Sequence, residues 1–282
     1  MNRISRPIPC KLCRQRPASP LASNPMFIDS HAHLDRLDLK PFGGDFSRFM
    51  EAAGAEGVDR MLCVAINLDD YPAMRRLVEP YPNVCVSVGV HPNETDTEEP
   101  SAERLAALAD DDRVVAIGET GLDYFRSAGD LAWQQERFRI HIRAAKLIGK
   151  PLIVHTRDSR SDTLRILAEE EAGEVGGVFH CFTEDWDTAR RALDLNFSIS
   201  FSGIVTFRTA ETIQDVARRV PDERYLIETD SPYLAPVPLR GKPNYPQHVR
   251  HVAGMIAELR GASLGEVADR TTRNYYTLFG NG

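Results

Sequence analysis

The stretch VVAIGETGLDYFRSAGDLAWQQERFRIHIRAAKLIGKPLIVHT, residues 114–156, carries the pattern that decides the fold. Its two ends, VVAIGE (114–119) and PLIVHT (151–156), are short runs of continuous apolar and β-branched character. Such runs suit parallel strands covered on both faces. Between them, 130–149 reads as a helix. Asp130 is placed to cap it, Leu131, Phe138, Ile142 and Ala145 form an apolar stripe, and Gly149 closes it. Strand, helix and second strand make a βαβ unit, the building block of a parallel sheet.

The alternation extends in both directions. Further strand-like runs occur at 26–29 (MFID), 60–66 (RMLCVAI), 84–90 (VCVSVGV), 176–180 (GGVFH), 197–202 (FSISFS) and 225–230 (YLIETD). Helices are expected at 46–56, 101–110, 161–171, 185–195, 209–220 and 247–260. A last helix follows Ser263, where Glu266 completes a capping box. Eight strand-helix units in about 250 residues is the arithmetic of a single (β/α)8, TIM-like barrel. A doubly wound open sheet is the alternative, but no Gly-rich phosphate fingerprint follows the first strand.

Composition narrows the class. At 282 residues, with 42% apolar and 27% charged residues, the chain is an ordinary globular protein. No run approaches the roughly 18 apolar residues a membrane span needs. Five cysteines, an odd number, argue for a reducing compartment, and the cytoplasm is expected. Residues 1–25 stand apart, with five basic residues, five prolines and no acid. They read as a disordered extension or a mis-called start before Met26, with the barrel spanning 26–282. Cys10 and Cys13 form a lone CxxC, weak evidence for zinc without a second pair. Beyond residue 25 the net charge is -12, so the broad basic surface of a duplex binder is absent. No membrane association or obligate protein partner is evident.

The chemistry gathers at strand ends. His31 and His33 follow the first strand, His91 the third, His155 ends the fifth and His180 the sixth. Glu119 ends the fourth and Asp230 the eighth. In a parallel barrel these ends share one face, where active sites form. Alternate residues of an extended chain point the same way, so His31 and His33 can reach one ion. Asp29 has the same parity and is placed to orient a ligating histidine. His155 and His180, from neighbouring strands, are placed to share a second ion, with Glu119 between the two. Two divalent ions are expected, zinc or manganese on ligand grounds, with magnesium also compatible. His141, His248 and His251 fall on helices and read as structural.

The segments FIDSHAHLD (27–35), VGVHP (88–92), AIGETGLDY (116–124), VHTRDS (154–159), FHCFT (179–183) and LIETDSPYLAP (226–236) resemble the TatD-type metal-dependent deoxyribonucleases of the amidohydrolase superfamily. The likeness runs from residue 26 to about 279, and RGKPNYP (240–246) adds to it. It implies a distorted (β/α)8 barrel and a two-metal hydrolase. His31, His33 and Asp230 would bind one ion, His155 and His180 the other, and Glu119 both. It also points to a 3'→5' exonuclease on DNA, and the acidic background favours single strands or chain ends as substrate.

Asp230 is then the expected general base and His91 a proton donor or phosphate contact. Arg157 is placed to clamp phosphate. Arg126, Arg208, Arg240 and Lys242 lie on loops of the same face. Tyr124, Phe125, Phe182 and Tyr233 on those loops are candidates to stack on unpaired bases. The ligand set equally admits hydrolysis of an aminoacyl-tRNA ester or a small amide. A non-catalytic metal-dependent binding protein is the third reading.

Overall fold

A computed structural model describes residues 25–280. Residues 1–24, and with them nearly all of the expected extension and its CxxC, lie outside the described residues, as do 281–282. Eight strands form one sheet: β1 (Phe27–Ala32), β2 (Val58–Cys63), β3 (Val84–Val88), β4 (Val114–Asp123), β5 (Leu152–Arg157), β6 (Gly177–Phe179), β7 (Phe197–Phe201) and β8 (Tyr225–Ile227). They pair in sequence order, every pair parallel. Helices alternate with them: α1 (Phe46–Ala55), α2 (Tyr71–Val78), α3 (Ala102–Leu108), α4 (Ala132–Ile148), α5 (Arg160–Glu169), α6 (Trp186–Asp194), α7 (Glu211–Arg219), α8 (Val249–Arg260) and α9 (Leu264–Phe279). The fold is the distorted (β/α)8 barrel, and the open sheet is excluded.

The distortion lies at the seam. β1 and β8 meet through a single bridge, Ala32 with Ser231. Two backbone bonds frame it: His33 N–H donates to Ser231 O at 2.8 Å, and Asp230 N–H to His31 O at 2.9 Å. Closure is therefore confined to the C-terminal ends of the two strands.

Strand parity sorts the core into two layers. Ile153, Val178 and Leu226 belong to one buried cluster with Ile28, Leu62 and Cys85. Ile153 and Val178 share parity with His155 and His180, so this cluster fills the barrel interior beneath the histidines. Tyr275 and Phe279 of α9 join it. The opposite parity, with Val84, Val86, Val154, Phe197 and Ile199, packs outward against Phe49, Phe138 and Ile142 of the helices.

Two local details differ from expectation. The helix α2 was not expected, because Pro72 and two arginines interrupt its apolar pattern. Proline in the first turn sacrifices no helical hydrogen bond, and Tyr71, Met74 and Val78 supply a buried face. At α4 the cap position is Leu131, not Asp130. Asp130 still accepts a bond from Ala132 N–H at 2.9 Å, one step early.

Gly121 holds β4 against β5 where no side chain fits. Its φ is +133°, and a Cβ there would lie 2.0 Å from the His155 carbonyl oxygen. Gly121→Ala is expected to push His155 out of place. Overpacking costs about 1–3 kcal/mol, and the left-handed φ adds to it. A thermal melt with metal analysis checks this: an unchanged melting temperature and metal content would show that the strands can part freely.

Candidate metal centre

The seven strand-end residues converge as expected, around Glu119. Its two oxygens face different groups. Oε2 lies 3.4 Å from His31 Nε2 and 3.7 Å from His33 Nε2. Asp230 Oδ1 faces the same two nitrogens at 3.7 and 3.4 Å. Oε1 lies 3.0 Å from His155 Nδ1, 2.7 Å from His180 Nε2 and 3.4 Å from His91 Nε2. The donors form three overlapping triads compatible with metal: His31–His33–Glu119, His31–His180–Asp230 and His91–Glu119–His155. The centre is thus more interwoven than two separate ligand sets, and the His31 and His180 rings stack at 3.9 Å.

The far nitrogen of most rings is held in place. His33 Nδ1–H donates to Val64 O at 2.9 Å. His155 Nε2 pairs with Asp123 Oδ2 at 3.1 Å, and His180 Nδ1 with Glu228 Oε1 at 3.3 Å. Such partners fix ring orientation and leave the other nitrogen for a metal. His91 differs. Asn93 N–H donates to His91 Nδ1 at 3.1 Å, so the neutral ring carries its proton on Nε2. In that tautomer Nε2 is a donor, which removes His91 as a ligand from the third triad and leaves Glu119 and His155 there.

The residues fit a cation. Both ring nitrogens of His31 are buried without a hydrogen-bond partner. An unbonded buried imidazole is costly, and a divalent ion among these carboxylates would satisfy it. Burial opposes the Glu119 charge, but the His180 and His91 imidazoles and bonds from His155 and His180 hold its carboxyl well below the usual range. Burial likewise opposes the Asp230 charge, which the His33 bond and the neighbouring imidazoles outweigh. Both carboxylates are therefore anionic at neutral pH.

Asp29, Phe182 and Tyr124 take other roles than expected, while His141 and His248 are structural as expected. Asp29 touches no histidine ring. Its carboxylate accepts from Thr229 N–H at 2.9 Å and from His31 N–H at 3.3 Å, tying β1 to the segment after β8. Burial pushes this carboxyl up to about 8 despite those bonds. His141 is structural, accepting from Val90 N–H at 2.9 Å. His248 bonds Asn244 Oδ1 at 2.9 Å. Phe182, expected on a loop able to stack on bases, is only 2% exposed, because it packs against Phe179 in the core. The Tyr124 hydroxyl donates to Asp162 and accepts from Gln135, both at 2.8 Å, so it braces α4 and α5. Tyr124 also lines a cavity of about 530 Å³ with Asp158, Arg160 and Glu184.

Arg157 ends β5, its guanidinium 3.9 Å from the centre of the Phe125 ring. Arg240 stacks the same way on Phe207, at 4.1 Å. Arg126 engages the structure through its backbone N–H, which donates to Asp123 Oδ1 at 2.9 Å. Asp123, Glu228 and Asn93 were missed by sequence reasoning. Asp123 shares parity with Glu119, and Glu228 with Asp230, which is the signal that was available. Asn93 donates to Asp123 Oδ2 at 2.9 Å.

An eight-stranded parallel barrel whose strand ends bring histidines and carboxylates around one shared glutamate defines a metal-dependent hydrolase. The family model described as TatD related DNase matches residues 28–280, and the chain belongs to that family. An Escherichia coli K12 relative, named as an uncharacterized metal-dependent hydrolase, YcfH, is 51% identical over 253 residues, covering 89% of this chain and 95% of its own. The Klebsiella pneumoniae protein named 3'-5' ssDNA/RNA exonuclease TatD is 31% identical over 250 residues, covering 86% and 95%. The crystal structure of YJJV, a TatD homologue from E. coli K12, superposes with a TM-score of 0.81 at 30% identity, covering 90% of this chain and 97% of that one. Among the described residues, no helix is long and apolar enough to cross a membrane.

Proposed function

We propose that this hydrolase cleaves phosphodiester bonds of DNA as a 3'→5' exonuclease on single-stranded ends, using two divalent ions. The observation that carries the reading is the division of labour at Glu119, one oxygen toward His31 and His33 and the other toward His155 and His180. On this reading His31, His33 and Asp230 hold one ion, His155 and His180 the other, and Glu119 both; magnesium, manganese or zinc suits the set. Such ions supply positive charge for a phosphoryl group and lower the pKa of water toward neutrality.

The chain's own groups do the rest. Asp230, anionic and beside His33, accepts the proton of the attacking water at its carboxylate. His91 presents Nε2–H to a phosphoryl or leaving oxygen. Asp123 and Glu228 keep His155 and His180 from turning. Arg157, Arg126 and Arg240 meet the phosphates, with Tyr124 at the rim. The exonuclease name of the Klebsiella relative supports the substrate class.

The test is a metal-loaded assay on 3'-labelled single-stranded DNA, run beside a panel of aminoacyl esters and small amides. Stepwise loss of 3' nucleotides, abolished by a chelator, is the expected result. Turnover of an ester or amide with DNA left intact would sink the nuclease reading.

A further inference from the structure

The mouth of the barrel is electrostatically divided. The loops after β2 and β3, 64–70 and 89–101, carry Asp69, Asp70, Glu94, Asp96, Glu98 and Glu99, with no lysine or arginine and His91 as their one histidine. Asp70, Glu98 and Glu99 pair with Arg36, Arg104 and Arg137 from elsewhere. Asp69, Glu94 and Asp96 have no cationic partner among the described residues. On the other side, Arg157 ends β5, and Arg126, Arg208, Arg240 and Lys242 occupy loops after β4, β7 and β8. None of these five forms an ion pair among the described residues. Of the acids of that side, Asp162 is paired by Arg165 at 3.0 Å, and Glu184 and Asp185 by Arg160 at 3.7 and 2.9 Å, while Asp130 and Asp158 have no cationic partner among the described residues.

Two of the free guanidiniums are already oriented. A guanidinium lying over an aromatic ring keeps its N–H edge open for phosphate oxygens. Phe125 beneath Arg157 is 60% exposed and has surface left for a base. Tyr233, 52% exposed, stands with its ring 6.0 Å from that of His33 and offers another platform next to the centre.

Resting on the nuclease reading above, we propose that the Arg157–Phe125 and Arg240–Phe207 stacks are nucleotide subsites for single-stranded DNA. We further infer that the acidic loops after β2 and β3 form a wall that the phosphate backbone does not cross. Stacking takes bases without regard to sequence but requires them unpaired. A chain held on one side and repelled on the other brings only its end to Glu119. This asymmetry, and not the metal centre, makes the enzyme act on ends.

The experiment compares kcat/KM on a labelled oligothymidylate with kcat/KM on bis(p-nitrophenyl) phosphate, a diester that carries no further nucleotides to occupy the stacks. Phe125→Ala and Arg240→Gln are each expected to lower the DNA-to-small-diester ratio about tenfold, through KM. Arg240→Gln should also reduce the salt slope of DNA binding by about one. A closed single-stranded circle is expected to resist cutting by the wild type. An unchanged ratio in both variants overturns the subsites, and a circle cut as fast as the linear strand overturns the wall. A wild type that hydrolyses the small diester but no DNA removes the nuclease reading itself.

Discussion

Glu119→Gln is expected to empty both halves of the metal centre and to remove turnover with them. The amide keeps the shape of the side chain but loses the charge that sits between His31 and His33 on one side and His155 and His180 on the other. It also offers one good donor oxygen where two are needed. Changes to groups that merely orient metal ligands cost about 10–100-fold in affinity or activity, so a shared ligand should cost at least that much. His155→Ala is the comparison, since it leaves Oε2, His31, His33 and Asp230 untouched and should deplete mainly one position. Metal content of the purified variants and turnover on single-stranded DNA are the measurements. If Glu119→Gln kept two metals per chain and near-normal rates, Glu119 would be a structural group and the two-ion reading would be wrong.

Asp230→Asn should behave differently, with turnover falling far more than metal content. The substitution is mild for the backbone. Asp230 has φ +53°, a conformation that asparagine tolerates nearly as well as aspartate. The bond from Asp230 N–H to His31 O at 2.9 Å is retained, so the change isolates the carboxylate charge. Loss of a general base typically costs about 100- to 10,000-fold. A parallel decline of rate and metal occupancy would instead make Asp230 a ligand without a proton-transfer role.

The frame was legible because each parallel strand is buried on both faces, which writes a short uninterrupted apolar run such as VCVSVGV. The principal donors were legible because they sit where those runs stop. What escaped was carried by weaker patterns. The apolar signal of the fourth run stops at Glu119, yet β4 continues to Asp123. Residues 119, 121 and 123 share one face, but Gly121 breaks the apolar signal between them. Glu228 hid inside the motif that also carries Asp230, because β8 leaves regular pairing after Ile227. The fate of Phe182 depended on a turn: Cys181 has φ +42°, and the chain there swings the ring back against Phe179 and the core. No local pattern in the sequence announces that.

The seam between β1 and β8 gives the metal centre a second consequence. His31 and His33 hang from one edge of the join and Asp230 from the other, and the single bridge of the two strands, Ala32 with Ser231, lies among them. On the proposed ligand set, an ion held by all three would be a rivet through the barrel wall. A species that binds the closed barrel and not the opened chain adds about 2.7 kcal/mol of stability at a hundred times its dissociation constant. On that reading, metal supply would set how firmly the last stave is fastened as well as how fast the enzyme turns over.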